Sequence, residues 1–503
     1  MKEKKKPRGL SRREFLGKTA AATAAFTIVP SHVVSGMGHR APSDKLNIAG
    51  IGVGGMGRTN VKHAALTENI VALADVDHKY AAKTFKDYPK AKVFYDWREM
   101  FDKMGKSIDA VIIATPDHTH AVTAAHAITM GKHVYVQKPL THSVYESRLL
   151  TNLAREYKVA TQMGNQGNSG EGIRQVTEWV QAGVIGKVKK AYAWTNRPIW
   201  PQGLERPKDT PPVPETLRWD LFIGPAPKRP YNPIYHPWNW RGWWDYGTGA
   251  LGDMANHIMD PIFKALELKY PYKVTASSTQ INTESAPHAE IVHYVFPARG
   301  DQPEVEVSWY DGGLLPPRPE ELPDGEIMGR DWNGGCIFIG EKGKIMTGCY
   351  GKDPILLPYS KMKDFTPPPK KLRRPEETTG LKWNNGAHEQ DWIRACKESP
   401  DSRVLPSSNF DYAGPLNEMV VMGVVAVRLQ DLNRWLHWDG KNMRFTNISD
   451  SDKIRVVTTD SFKVVDGDPK WNTQRVTLNA KAAAEEYIKH TYHNGYSLPD
   501  MPA

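Results

Sequence analysis

Cysteine is scarce in this chain. Its 503 residues contain three, Cys336, Cys349 and Cys396, and none belongs to a C-x-x-C pair. So few, unpaired cysteines exclude a disulfide framework. One bridge between Cys336 and Cys349 stays open, but the simpler prediction is three small, buried, reduced side chains.

A long apolar run is missing near the N-terminus. Residues 19–30 are apolar, but a membrane-spanning helix needs about 20 such residues. A basic segment precedes them, and its string SRREFLGK, at 11–18, resembles a twin-arginine export signal. We therefore predict a signal peptide and linker over 1–40, a periplasmic or otherwise exported protein, and contact with the membrane only during export. An uncleaved basic tail is the alternative.

A concentrated basic surface is also missing. The net charge is +10, but residues 1–39 hold eight basic and two acidic residues, so the leader accounts for six of these charges. The remaining body is only mildly basic, and nucleic acid is not expected as a partner. A chain of 503 residues is too long for one small core, so two or more domains are expected.

A strand, a glycine-rich turn and a helix follow one another over residues 45–66. The turn has the G-x-G-x-x-G spacing of a dinucleotide-binding site. Gly52 permits the tight turn, Gly54 lets the backbone approach a pyrophosphate, and Gly57 lets the helix pack on the strand. The helix N-terminus offers free N–H groups to phosphates. We assign Gly52, Gly54, Met56 and Gly57 to cofactor binding.

A second predicted strand, 70–77, carries an acidic residue near its end. Asp75 lies 18 residues after Gly57, which suits a carboxylate that binds both ribose hydroxyls. Such a carboxylate would repel a 2′-phosphate, so NAD is favoured over NADP. The alternative is an ordinary surface aspartate at a strand end.

The stretch 108–140 predicts strand, loop, helix and strand. In open α/β sheets, ligands bind beyond the carboxyl ends of the strands. Residues that follow these two strands should therefore converge on the cofactor. They are Thr115, Pro116, His120, Gln137 and Lys138.

Three strings, ATPDHTHA, VYVQKPL and GTGALGDMANHIMD, together resemble the Gfo/Idh/MocA oxidoreductase family. The resemblance implies an α/β protein with an N-terminal Rossmann domain and a C-terminal α/β domain on a large, mostly antiparallel open sheet. That sheet often forms the oligomer interface, so a homodimer or homotetramer is expected. The family's E-K-P motif is Gln137-Lys138-Pro139 here, without the acid.

The domain boundaries follow from these motifs. We place the Rossmann domain at 44–163 and the substrate and oligomerisation domain at 164–447. The second domain holds a Trp- and Pro-rich insert, 196–245, and 448–503 forms an insertion with a closing helix that is expected to end at Gly495.

The candidate chemistry lies in a predicted helix over 250–260. Asp253 and His257 are spaced i, i+4, so their side chains share one face. A sugar hydroxyl must lose its proton before its carbon releases hydride, and His257 suits that task. Asp253 would orient His257 or bind a hydroxyl, and Lys138 would stabilise the developing carbonyl oxygen. Family members differ in whether lysine or histidine is the base, and both stay open here.

Other interpretations of these residues remain. Asp253 and His257 could form a plain salt bridge on the helix. Asp117, His118 and His120 could join them in a metal site, but no second ligand motif supports it, so no metal is assigned.

Substrate contacts are predicted at two further places. Asn165 and Gln166 lie at the crossover into the second domain, where they bind substrate or only hold a turn. Seven tryptophans fall between residues 194 and 244. Sugar rings pack their C–H faces on indole, so one or two of these should face the site, with the rest forming a local core. We assign Trp240 and Arg241 to substrate binding.

The sequence thus predicts an exported, NAD-dependent oxidoreductase acting on a CH–OH group of a carbohydrate or glycoside. Outside the cytoplasm no free NAD pool regenerates the cofactor, so a tightly bound nicotinamide is expected. A glycoside 3-dehydrogenase and a sugar–sugar oxidoreductase both fit. The alternatives are a redox-neutral NAD-dependent glycosidase and a non-catalytic sugar-binding protein.

Overall fold

A computed structural model describes residues 44–502. The leader predicted over 1–40 lies outside the described residues. Among the residues described, no helix is long and apolar enough to cross a membrane. Cys336, Cys349 and Cys396 are buried and free, as the sequence predicts.

The first half of the chain builds a parallel six-stranded sheet. Its strands are β1 (Asn47–Ile51), β2 (Asn69–Ala74), β3 (Lys92–Phe94), β4 (Ala110–Ile113), β5 (His133–Val136) and β6 (Thr161–Met163). Their spatial order is β3-β2-β1-β4-β5-β6, and every neighbouring pair runs parallel. This is a doubly wound Rossmann sheet, and the short apolar runs of its central strands suit burial on both faces.

Helices connect these strands. They are α1 (Met56–Ala64), α2 (His78–Asp87), α3 (Trp97–Met104), α4 (His120–Thr129) and α5 (Val144–Glu156). The α5 helix begins with a capping box, in which Ser143 and Glu146 satisfy each other's backbone N–H groups.

The second half builds a nine-stranded sheet. Its strands are β7 (Val188–Thr195), β8 (Lys273–Ser278), β9 (Glu290–Phe296), β10 (Val305–Tyr310), β11 (Gly334–Gly340), β12 (Gly343–Gly348), β13 (Ile355–Leu357), β14 (Leu436–Asp439) and β15 (Arg444–Phe445). The order is β13-β12-β11-β7-β10-β9-β8-β14-β15. Within this sheet, β7 and β10 pair in parallel and the other neighbours are antiparallel. The predicted fold class is confirmed.

Helices cover this sheet and connect it to the first. They are α6 (Glu171–Gln181), α7 (Trp219–Ile223), α8 (Gly249–Ile258), α9 (Asp260–Ala265), α10 (Pro375–Thr379), α11 (Ala387–Cys396) and α12 (Phe410–Arg428). The apolar α12 packs against both α5 and α8, which joins the core of the first sheet to that of the second.

The C-terminal part differs from the sequence prediction in one respect. The insertion forms a long hairpin of β16 (Lys453–Val465) and β17 (Asp468–Asn479), followed by α13 (Ala480–Ile488). The closing helix was expected to continue to Gly495, but it ends at Ile488. The segment beyond it is held by side chains instead, because Tyr492 hydrogen-bonds Glu146 and Asn494 Nδ2 donates to the carbonyl of Gly224 at 2.8 Å.

Candidate active site

The glycine turn between β1 and α1 has no room for side chains. Gly52 has a φ of +76°, and a Cβ there would lie 2.7 Å from the backbone of Ala114 and Thr115. A Cβ on Gly57 would lie 2.2 Å from the carbonyl oxygen of Gly52. Both positions therefore require glycine, for the tight turn and for helix–strand packing respectively.

The turn is tied to the acidic end of β2. The N–H of Gly54 donates to Asp75 Oδ2 at 3.0 Å, and the N–H of Asp77 donates to Asp75 Oδ1 at 2.9 Å. Burial raises the pKa of Asp75 to about 6, although these N–H groups oppose the shift. The ring of Tyr80 lies so close to Gly54 that a Cβ there would approach it to 2.1 Å. Gly54 thus also admits a tyrosine onto the turn, which the motif does not predict.

A cavity of about 400 Å³ opens beyond this turn. Most of the residues that the sequence assigned to cofactor, substrate or catalysis line it. They are Gly52, Gly54, Met56, Asp75, Thr115, Pro116, Gln137, Lys138, Gln166, Trp240, Arg241, Asp253 and His257. The fold thus brings together strand ends from the first sheet, the insert and α8.

His120 and Asn165 are not among the residues that line this cavity, and their side chains bond to other protein groups. The ring nitrogens of His120 lie 2.8 Å from the carbonyl oxygens of Pro139 and Thr115, so the ring holds two strand-end loops together. Asn165 Nδ2 donates to Asp260 Oδ2 at 3.0 Å. Both side chains are fully buried outside the cavity, where they support its wall.

Lys138 and Arg241 share one carboxylate. Lys138 Nζ lies 2.7 Å from Asp253 Oδ1, and Arg241 Nε donates to the same oxygen at 3.0 Å. Burial by itself raises the pKa of Asp253, but the charges of Lys138 and Arg241 outweigh it and hold that pKa well below its usual range. Asp253 is therefore a permanent anion that positions both cations.

His257 lies one turn further along α8 and is buried. Its Nδ1 has no hydrogen-bond partner in the described protein, and its ring meets the edge of Tyr350 with centroids 4.7 Å apart. Burial lowers the pKa of His257 well below 6.5, and Lys138 lowers it further. Among the described ion pairs, those of Asp253 are with Lys138 and Arg241, so the predicted alternative of a plain Asp253–His257 salt bridge is not formed. The neutral imidazole is free to accept a proton.

A buried carboxylate that the sequence motifs missed also lines the cavity. Gln137 Nε2 donates to Asn60 Oδ1 at 2.9 Å, and Asn60 Nδ2 donates to Glu389 Oε1 at 2.6 Å. The other oxygen of Glu389 lies 3.3 Å from His63 Nδ1. The Q-K-P string lacks the family's acid, but Glu389 on α11 reaches Gln137 through Asn60. Glu389 lies 329 residues after Asn60 in the chain. No local sequence signal marks Glu389.

The aromatic insert forms one wall of the cavity. The guanidinium of Arg241 lies 4.0 Å from the ring centroid of Trp238 and 4.3 Å from that of Trp240. Trp200, Trp238 and Trp240 line the cavity, one more than expected, and Trp238 is 47% exposed. Trp219 and Trp243 pack with tyrosines in a separate small core. The tryptophans of the insert therefore contribute both to the cavity wall and to a local core.

The loop after β4 is structural. Asp117 Oδ2 accepts hydrogen bonds from Thr248 N at 3.1 Å and Thr248 Oγ1 at 2.7 Å, and burial raises the pKa of Asp117 to about 7. His118 Nε2 lies 3.0 Å from the carbonyl oxygen of Phe222. Asp117, His118 and His120 thus point to separate partners. Within residues 44–502, no group of three or more His, Cys, Asp or Glu side chains is arranged to hold a metal.

Comparison with known proteins agrees with this geometry. Residues 46–165 match the family model for the NAD-binding Rossmann fold of the oxidoreductase family, and residues 170–298 match the model for its C-terminal α/β domain. The chain belongs to the Gfo/Idh/MocA oxidoreductase family. Its first domain is therefore an NAD-binding Rossmann domain.

The names of several relatives refer to sugars, polyols or glycosides. The chain is 24% identical to levoglucosan dehydrogenase of Pseudarthrobacter phenanthrenivorans, over 37% of this chain and 40% of that protein. It is 28% identical to scyllo-inositol 2-dehydrogenase (NAD(+)) of Bacillus subtilis, over 34% of this chain and 47% of that protein. It is 29% identical to a glycosyl hydrolase family 109 protein of Shewanella pealeana, over 36% and 44%. The matches span less than half of each of these relatives.

Solved structures share the fold at low identity. The WlbA dehydrogenase of Bordetella pertussis, in complex with NADH and UDP-GlcNAcA, superposes with a TM-score of 0.54 at 15% identity, over 78% of this chain and 99% of that one. A levoglucosan dehydrogenase, in complex with NADH and L-sorbose, gives 0.52 at 16%, over 78% and 98%.

The residues that line this cavity fit a nicotinamide dinucleotide. The turn at Gly52 and Gly54 and the N-terminus of α1 present backbone N–H groups suited to a pyrophosphate, and Asp75 lies where a ribose would be read. Gln166 lines the same cavity, and its buried Nε2 has no partner in the described protein. This amide can therefore donate a hydrogen bond to a bound ligand.

Proposed function

We propose that this protein is an exported, NAD-dependent oxidoreductase that oxidises a hydroxyl-bearing carbon of a sugar or glycoside. One observation carries the proposal. Lys138, Asp253 and the neutral His257 meet in a single cavity with the nucleotide-binding turn on one side and a tryptophan wall on the other. That arrangement places a base and a cation beside a surface suited to a sugar ring.

The chemistry divides among these residues. Bound NAD supplies the hydride acceptor. His257, whose imidazole burial keeps neutral, accepts the proton of the substrate hydroxyl. Lys138 donates a hydrogen bond to the oxygen as it becomes a carbonyl, and Asp253 fixes the Lys138 ammonium at 2.7 Å.

The tryptophan wall suits a carbohydrate. The C–H faces of pyranose rings pack on indole, and Trp238 and Trp240 hold the Arg241 guanidinium between them. The N–H groups of Arg241 that do not contact Asp253 or the Trp238 carbonyl serve as donors to substrate hydroxyls. Gln166 adds an unused amide donor. A glycoside, with its second ring or aglycone against the exposed Trp238, is the substrate class we favour.

Cofactor choice and supply complete the proposal. Asp75, at the end of β2, would repel the 2′-phosphate of NADP, so NAD is favoured. The leader string at 11–18 supports export by the twin-arginine route, which carries folded proteins. A captive nicotinamide that is reoxidised in place then fits a glycoside 3-dehydrogenase or a sugar–sugar oxidoreductase. A homodimer or homotetramer built on the open sheet is part of the same proposal.

A redox-neutral glycosidase is the second candidate. The similarity to a glycosyl hydrolase family 109 protein supports it. It would use the same base and the same cation. It would oxidise a ring carbon, eliminate the aglycone, add water and then reduce the ring carbon again, with no net redox change.

Product analysis tests the proposal. The NAD-loaded protein is incubated with a panel of aryl and alkyl glycosides plus an external electron acceptor, and products are separated by mass spectrometry. We expect a keto-glycoside 2 mass units lighter than the substrate, formed at least about 100-fold more slowly by Lys138→Ala. Lys106→Ala, an exposed lysine on the Rossmann domain, is the matched control and retains activity. Free sugar without a keto product would support the glycosidase, and neither product from wild type would support a binding protein.

A further inference from the structure

A second cavity, of about 190 Å³, lies beside the catalytic one. The loop Asp117–Thr119 contributes to both, because Thr119 lines the first cavity and His118 lines the second. The segment after α13 forms its other side through His490 and Tyr492. The volume is enough for about six water molecules at ~30 Å³ each, and nothing in the proposed chemistry uses it.

Five basic side chains line this cavity: His118, His142, Arg428, His490 and His493. The rings of His142 and His490 have centroids 4.6 Å apart. Burial lowers the pKa of His490 to about 3, and the charges of Arg428 and His118 lower it further. Burial also lowers the pKa of His142, with the same neighbours adding to the effect, and no carboxylate offsets it at either histidine.

Arg428 has unused hydrogen-bond donors in the cavity. Its guanidinium lies 3.4 Å from the ring centroid of Tyr487 and 5.1 Å from that of Trp244. The residue is partly exposed, and within residues 44–502 its side chain forms no hydrogen bond or ion pair, so its N–H groups are free for an acceptor in the cavity. His118 Nδ1 also has no partner in the described protein, but Nε2 faces the carbonyl oxygens of Phe222 and Ile223, so Nδ1 donates only when the imidazole is protonated.

The acids that line the cavity are already engaged elsewhere. Asp245 pairs with Arg229. Glu146 accepts hydrogen bonds from the backbone N–H groups of His142 and Ser143 at 2.9 and 3.0 Å, and from Tyr492. Glu486 accepts from both the N–H and the hydroxyl of Thr491, at 2.9 and 2.8 Å. None of the three forms an ion pair with Arg428.

We propose that this second cavity binds a small tetrahedral oxyanion of the phosphate or sulfate class. Arg428 would supply the paired donors that such an anion prefers, His490 would add a hydrogen bond at another oxygen, and His118 Nδ1 would add one when its imidazole is protonated. The site adjoins the catalytic frame, because His142 Nε2 lies 3.2 Å from the carbonyl oxygen of Gly247, two residues before α8.

Calorimetric titration of the NAD-loaded protein tests this site. With the nucleotide in place, the turn at Gly52 offers no second phosphate site. Sodium sulfate and sodium phosphate are titrated separately at constant ionic strength, to learn which oxyanion is preferred. We expect saturable binding of at least one of them to wild type, and binding at least about tenfold weaker to Arg428→Gln. Arg434→Gln, which removes a partly exposed partner of Asp452, is the matched control and keeps wild-type affinity.

A second variant covers the case in which Arg428→Gln fails to fold, since Arg428 also stacks between two rings. His490→Phe removes the nitrogens of that ring, keeps an aromatic ring against His142 and leaves the Arg428 stack untouched, and it too should weaken binding. A rise in melting temperature with added anion in wild type, absent in the variant, is the parallel readout. No saturable binding of either oxyanion to wild type, or equal affinities in wild type and both variants, would overturn the proposal.

Discussion

Lys138 Nζ lies 2.7 Å from Asp253 Oδ1, although 115 residues separate the two in the chain. Lys138 follows β5 of the Rossmann sheet, and Asp253 belongs to α8 in the second half. The ion pair therefore forms only when both halves have folded against each other. Because Arg241 shares the same carboxylate oxygen, Asp253 fixes both Lys138, which is proposed for chemistry, and Arg241, which is proposed for substrate binding.

Removing the lysine should separate catalysis from nucleotide binding. In Lys138→Ala we expect kcat for glycoside oxidation to fall by about 10²–10³-fold, the effect of deleting one preorganised donor to a developing oxyanion. NAD content per chain should stay at the wild-type level, because the glycine turn is untouched. Steady-state kinetics and nucleotide released on denaturation measure the two quantities. A Lys138→Ala enzyme with wild-type kcat would mean that the site is misassigned.

His257→Gln should lower kcat by about 10²–10⁴-fold, the usual contribution of a general base. The pH profile provides the sharper test. Burial lowers the pKa of His257, so the imidazole stays deprotonated through neutral pH and gains its proton only well below pH 6.5. The acid limb that reports this base should therefore lie below 6.5 and should disappear in His257→Gln. An unchanged limb in the variant would transfer the role of base to another group.

Asp75 should control nucleotide affinity. Asp75→Asn removes a charged acceptor for the ribose, worth about 1.5–3 kcal/mol, so Kd for NAD should rise about 10- to 100-fold. Since burial raises the pKa of Asp75 to about 6, the carboxylate loses its charge as pH falls through 6, and wild-type NAD affinity should weaken over that range. Fluorescence titration at several pH values measures this. The pH dependence should vanish in Asp75→Asn; if it persists, another group governs binding.

Two glycines with similar backbone angles provide a matched pair. Gly52 has φ +76° and Gly131 has φ +73°, so alanine costs about 1–2 kcal/mol of conformational energy at either. Only at Gly52 does the new Cβ also collide with backbone, at 2.7 Å, whereas nothing lies within 4 Å of it at Gly131. Gly52→Ala should therefore lower the free energy of unfolding by more than Gly131→Ala and also abolish NAD binding. Urea unfolding measures the difference, and equal losses would contradict the steric argument.

The sequence predicted those parts of the site that depend on local geometry. A helix over 250–260 puts Asp253 and His257 on one face, and the structure has that helix at Gly249–Ile258. The turn at Gly52 was predictable because the spacing of the glycines indicates a backbone conformation that only glycine adopts readily. Glu389 could not be found this way, because it reaches the cavity only through the packing of α11 against α1. His120 follows β4 as expected, but the sequence does not reveal that its ring nitrogens lie against the carbonyl oxygens of Thr115 and Pro139.

The extent of the last helix was also beyond local reasoning. The string after Ile488 still contains residues that tolerate a helix. Tertiary contacts of Tyr492 and Asn494 draw it into an irregular path over the second cavity. Propensity alone gives no warning of such contacts.

The central claim is that a carbohydrate C–H delivers hydride to the bound nicotinamide. The most direct measurement mixes NAD-loaded protein with glycosides deuterated at every ring carbon and examines the released nucleotide by mass spectrometry. The account predicts reduced nicotinamide carrying one deuterium from at least one glycoside in wild type, and the same label appearing at least about 100-fold more slowly in Lys138→Ala. If no glycoside labels the nucleotide while the protein holds NAD in full occupancy, the proposed oxidation of carbohydrates is wrong.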